Sequence, residues 1–227
     1  MRMDTKTHWD ESHQKHPDKR DPSNYAVDKE KSFPRGSIVC DLGGGDGTDS
    51  LFFLKQGHSV FHCDISPVAV EKARRKIDNA GIIKNFSTEV VDLNKDRIPK
   101  PDNFFDVIYS RLSLHYFDKD RTGEILADIK RVLKPGGVAF IAVKSPNDKD
   151  EMEFLEKNNE KISEGLYRED SVLKSRYTKQ QYETILKNAG IDNYEINDYE
   201  ETFGESKIYV KSGADKLLYL EITIHKD

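Results

Sequence analysis

The chain has 227 residues and a formal net charge of −5, with 36% apolar against 34% charged residues. That length suits one large domain or a domain with an appendage, and the acidic balance argues against a nucleic-acid binder, whose affinity rests on basic contacts to phosphate. The apolar runs are of strand length and the first ten residues are charged, so no membrane span and no signal peptide are expected, and a cytoplasmic address is.

Residues 1 to about 32 are polar and lack a strong period, with Trp9 and Tyr25 as the main aromatics. His8, His13 and His16 fit no compact zinc spacing, and no metal is expected. An apolar run from Ser37 to Leu42 then carries Asp41 and leads into glycines at 43, 45 and 47, after which hydrophobic periodicity resumes at Leu51, Phe52 and Leu54. This reads as a buried strand, a tight glycine turn and a helix, where a ligand can lie against bare backbone. A dinucleotide fingerprint, G-x-G-x-x-G/A, would put its third small residue where Thr48 stands; here the third glycine comes one residue early.

A second strand, Ser59 to Asp64, ends in an acid about 20 residues past the glycines, where nucleotide-binding folds place a ribose-binding carboxylate. Ile65 follows, Ser66 suits a helix cap and Pro67 a first turn, and Val68, Val70, Ala73 and Ile77 mark the helix. Phe86 to Val91 is a third strand ending in Asp92-Leu93, and Phe104 to Ser110 a fourth that runs into Arg111-Leu112-Ser113-Leu114-His115-Tyr116-Phe117. A helix through Ile125, Ile129, Val132 and Leu133 is stopped by Lys134-Pro135-Gly136-Gly137 before a fifth strand, Val138 to Val143. Residues 145 to about 177 break the alternation and are rich in charge, which suits a lid or a partly helical insertion. Thr178 caps a further helix ending at Gly190, and Tyr194 to Phe203 and Leu217 to His225 read as strands, with room for a short strand at Lys207 to Val210 between them. Cys40 and Cys63, each one residue before a strand-ending acid, read as small buried hydrophobes.

The acid-x-G-x-G-x-G turn, the acids after the second and third strands, the loop after the fourth and the L-K-P-G-G before the fifth come in the order found in class I S-adenosylmethionine (SAM)-dependent methyltransferases. The chain resembles that family firmly over about residues 36 to 145. The resemblance implies an α/β, doubly wound, seven-stranded and mostly parallel Rossmann-like sheet with its last strand antiparallel, in one domain over residues 1–227. It implies a SAM-dependent enzyme transferring a methyl group, with S-adenosylhomocysteine as product. The cofactor-binding positions carried over are Asp41, Gly43, Gly45, Gly47, Asp64 with Ile65, Asp92 with Leu93, and Ser110, together with Tyr25 in an N-terminal flap (residues 1–32). Asp64 would take the ribose, Asp92 the adenine amino group, and Asp41 the methionine ammonium or the glycine loop itself. Gly44, where the family often has Cys, Ala or Thr, is a departure that should not hurt cofactor binding.

Arg111 and His115 are the catalytic or substrate-binding candidates, through an anionic group on the acceptor or proton removal near neutral pH. Tyr167, Arg168, Arg176 and Tyr177 in the insertion are candidates to line the acceptor pocket. A small-molecule acceptor is the favoured partner, without nucleic acid or membrane, for a monomer or homodimer. The alternatives are a methyltransferase acting on RNA or protein, a non-catalytic SAM-binding regulatory domain, and a NAD-dependent enzyme. The asparagine-proline-proline-aromatic tetrapeptide of amino-directed nucleic-acid enzymes is absent; Ser145-Pro146-Asn147-Asp148 stands after the fifth strand.

Overall fold

A computed structural model of the protein describes residues 4–16, 21–202 and 216–227. The polar N-terminal segment forms two helices, α1 (Thr5–Lys15), capped by the Asp4 carboxylate, and α2 (Asn24–Glu30), capped by Ser23. The alternation read from the sequence follows: β1 (Ile38–Leu42), α3 (Thr48–Lys55), β2 (Ser59–Asp64), α4 (Pro67–Asn79), β3 (Phe86–Val90), β4 (Phe105–Arg111), α5 (Lys119–Val132) and β5 (Leu133–Lys144). Ser66 caps α4 through the Ala69 amide, with Pro67 at its first position, as its sequence predicts.

The insertion is more structured than a lid of loops. It holds α6 (Lys149–Asn158) and a three-stranded antiparallel sheet of β6 (Glu160–Ser163), β7 (Leu166–Glu169) and β8 (Val172–Ser175). Then come α7 (Lys179–Asn188), with a full capping box between Thr178 and Gln181, β9 (Tyr194–Thr202) and β10 (Lys216–His225). The short strand considered at Lys207 to Val210 lies outside the described residues.

The main sheet runs β3-β2-β1-β4-β5-β10-β9, and β10 is antiparallel to both of its neighbours. The seven-stranded, mostly parallel sheet is therefore as expected. Strand order reverses between β1 and β4, the point at which open α/β sheets bind ligands outside the carboxyl ends of their strands. Successive β1 residues serve opposite faces: Cys40 and Leu42 join a core under α5 and α7, and Val39 joins one that holds Tyr25, Phe53 and Tyr109. Both cysteines are free and buried.

Candidate active site

The loop between β1 and α3 is tied to the end of β2. The Gly43 and Gly44 amides both donate to the Cys63 carbonyl, at 2.8 and 3.1 Å. Gly43, Gly45 and Gly47 have φ of +74°, +56° and +72°, the left-handed region that only glycine enters freely. Their surroundings differ. A Cβ on Gly43 would lie 2.1 Å from Ser113 Oγ and one on Gly47 2.5 Å from the Ala73 Cβ, so these two glycines let protein pack on the loop. Above Gly45 the only atom of the described residues within 4 Å of such a Cβ is Cε1 of His13, at 3.4 Å. Gly45 is where a ligand can come against bare backbone.

Gly44 has a packing constraint of its own. A Cβ would stand 2.5 Å from His62 Cδ2 and 2.6 Å from the Asp41 carboxylate. His62, wholly buried in β2, lies beneath the loop with one ring nitrogen 3.0 Å from the Gly45 carbonyl and the other 2.8 Å from Thr88 Oγ1. Burial holds its pKa below the ordinary imidazole value, so a neutral ring donates to one oxygen and accepts from the other. Gly44→Ala is expected to destabilise the protein by about 1–3 kcal/mol through overpacking. In a His62→Ala background the same substitution should cost less, with the Asp41 contact remaining, and denaturant melts of the four variants measure that coupling.

The Asp64 carboxylate turns toward the loop, accepting from the Gly45 amide (3.0 Å) and the Ser66 amide (2.9 Å). Ile65 beside it is half-buried. Asp41 is buried and accepts from Ser50 Oγ at 2.5 Å. Burial, followed by the negative charge of Asp49, pushes its carboxyl up to about 7.

The other expected site residues are placed differently. Ser110 is buried and its hydroxyl donates to the Leu42 carbonyl (2.9 Å), so it steadies the end of β1. Asp92 sits in an Asx turn, with Oδ1 taking both the amide and the side-chain nitrogen of Asn94 at 3.0 Å, and Oδ2 pairs with Lys95 at 3.2 Å. Leu93 is buried in the core and its carbonyl accepts from Arg121 (2.6 Å). Tyr25 is fully buried and packs on Tyr109 and Tyr199 at ring-centroid distances of 5.6 and 5.1 Å, an anchor for α2.

Arg111 is committed to structure: its guanidinium pairs with Glu201 at 2.5 Å and meets the Tyr219 hydroxyl at 3.1 Å. His115 is 1% exposed, and neither ring nitrogen has a hydrogen-bond partner among the described residues. Burial and then the Arg176 charge hold its pKa well below the ordinary value, so it is neutral at physiological pH. Of the insertion residues, Tyr167, Arg176 and Tyr177 are buried, while Arg168 forms a peripheral pair with Glu160.

Sequence reasoning missed what α1 touches. Asp10 accepts from Ser66 Oγ (2.5 Å), His13 reaches the Gly45 loop, and Lys72 donates to the His16 carbonyl (3.0 Å). On the other side Trp9 meets Tyr116 edge-on at 4.8 Å, and Thr5 Oγ1 donates to the Ser171 carbonyl (3.3 Å). One helix thus bridges the glycine loop and the insertion. Asp10 and Ser66 lie 56 residues apart in the chain, so no local pattern pairs them.

Residues 39–137 match a family model described as a methyltransferase domain. The match takes in the glycine loop, Asp64, Asp92 and the turn after β4. A ubiquinone/menaquinone biosynthesis C-methyltransferase of Francisella tularensis is 36% identical to the chain over 111 residues, which are 47% of this chain and 42% of that protein. The chain therefore spans less than half the length of that curated relative. A SAM-dependent methyltransferase structure from Methanosarcina mazei superposes with a TM-score of 0.69 at 18% identity, covering 91% of this chain and 99% of that one. The 1,6-didemethyltoxoflavin-N1-methyltransferase of Burkholderia thailandensis, solved with its substrate and S-adenosylhomocysteine, gives 0.63 at 19% identity, covering 89% and 76%. These structures share the fold of the methyltransferase domain and extend it past residue 137 into the second half of the chain.

Proposed function

We propose that the protein is a SAM-dependent methyltransferase acting on a small-molecule acceptor, as one cytoplasmic domain. The observation that carries this is the bare face of Gly45 beside the Asp64 carboxylate, at the point where strand order reverses. That cradle fits a nucleoside joined to an amino acid: Asp64 accepts the two ribose hydroxyls, Ile65 flanks the base, and the Gly43–Gly47 backbone receives the methionine portion. Asp92, held in its turn, still has its carboxylate partly exposed toward the adenine end. The relatives support the acceptor class, since one is named for ubiquinone/menaquinone biosynthesis and another was solved with 1,6-didemethyltoxoflavin bound.

The bound cofactor supplies an electrophilic methyl and its own leaving group, so the protein's task is chiefly to align two reactants and exclude water. Ser113, seated on Gly43, ties the loop after β4 to the glycine loop and sets the acceptor side against the cofactor side. Helix α1 closes over both, with Asp10 and His13 on one flank and Trp9 on the other.

Asp41 gives this reading a pH signature. Its carboxyl is raised to about 7 in the free protein, whereas an ammonium bound above the loop favours the carboxylate. Affinity for S-adenosylhomocysteine is expected to rise with pH through about 7 and level off above about 8, with proton release on binding below that. The same raised group makes the free protein lose stability as pH climbs from about 4 to 7, because folding then retains a proton the unfolded chain has given up. Calorimetry in buffers of different ionisation enthalpy checks the proton release; binding independent of pH from 6 to 8 removes Asp41 from the site.

A further inference from the structure

The insertion brings a buried, positively charged cluster against the loop after β4. Strand β8 packs on the 3-10 turn Leu114–Tyr116, and the His115 and Tyr116 rings lie 4.2 Å apart. Arg176 is 3% exposed; its Nη2 pairs with Glu151 Oε1 and its Nη1 donates to the Ser175 carbonyl, but its Nε has no partner. Lys144, at the end of β5, takes the other Glu151 oxygen, and Lys174 pairs with Glu169. Among the described residues, Arg176, Lys144 and Lys174 with Glu151 and Glu169 surround the His115–Tyr116 pair. A buried polar atom without a hydrogen bond is costly. Arg Nε can only donate, and a neutral imidazole offers one donor and one acceptor. Ser113, two residues before His115, rests on Gly43, so this cluster stands next to the cofactor loop.

We propose that the methyl acceptor carries an anionic group, of the carboxylate kind, that is received by Arg176 with His115 as its neighbour. This rests on the methyltransferase reading above and names its substrate class. The anion accepts from the Arg176 Nε–H, beside the His115 imidazole. An acceptor without such a group would leave that Nε–H without a hydrogen bond.

The test uses the full-length protein saturated with S-adenosylhomocysteine, with sodium benzoate as probe and benzyl alcohol as its uncharged counterpart. Benzoate is expected to bind at least about tenfold more tightly than benzyl alcohol and to move the His115 ring resonances, assigned by their loss in His115→Phe. Arg176→Met should abolish that preference. Because this variant removes a buried ion pair and is at risk of misfolding, the His115 shift in the unmodified protein stands as an independent readout. Equal binding of the two probes, no benzoate binding, or a benzoate site that leaves His115 unmoved overturns the proposal. Heat of S-adenosylhomocysteine binding, recorded first, separates this failure from failure of the methyltransferase reading itself.

Discussion

Gly45→Val is expected to remove measurable binding of SAM and S-adenosylhomocysteine while leaving the sheet folded. Gly45 has φ of +56°, where a β-branched residue is strained, by about 1–3 kcal/mol. Its missing side chain also leaves the one glycine face of the loop that protein does not fill, apart from the edge of His13. A valine there meets the ligand and the α1 lid together, so affinity should fall at least about 100-fold, or about 2.7 kcal/mol. Calorimetric titration measures the affinity, and a thermal melt of the free protein bounds the strain. A variant that melts normally and binds normally would show that the ligand lies elsewhere.

The second large effect belongs to Asp64. Two ribose hydroxyls donating to an ionised carboxylate contribute about 1.5–3 kcal/mol each, so Asp64→Ala should weaken S-adenosylhomocysteine about 100-fold or more. The structure adds a smaller cost to the free protein, because the same carboxylate holds the Gly45 and Ser66 amides. Loss of those two bonds is expected to lower stability by about 1–3 kcal/mol. Affinity and stability therefore both fall, and the affinity loss should be the greater. A melt shift with unchanged affinity would make Asp64 a loop brace only.

The sheet and its helices were legible because each segment's local signals agree with its tertiary place. In β1 a two-residue alternation feeds both faces, and in α4 a capping serine, a first-turn proline and a periodic apolar stripe coincide. The insertion was not legible as strands. β6, β7 and β8 have four residues each, and β6 is exposed throughout, so no alternation marks it. Helix α1 buries none of its residues and is held by polar and aromatic contacts to distant segments, which leave no period to read.

The site divides along the same line. The glycine turn and Asp64 are sequence-local, and the structure places them together. Arg111 looked free to bind substrate because its partner Glu201 lies 90 residues away and nothing near it in the chain announces an ion pair. His115 lies in the turn after β4, where burial and the nearby cations make it neutral and a poor proton acceptor. The packing constraint on Gly44 was not legible because part of it comes from His62 in the neighbouring strand.

The central claim is that the loop over β1 holds a SAM-type cofactor. Isothermal titration of the full chain with S-adenosylhomocysteine at pH 8 tests it most directly. The expected result is saturable one-to-one binding with a Kd in the micromolar range, about −8 kcal/mol, and no binding of NAD under the same conditions. No heat with S-adenosylhomocysteine, or binding of NAD in its place, would contradict the account.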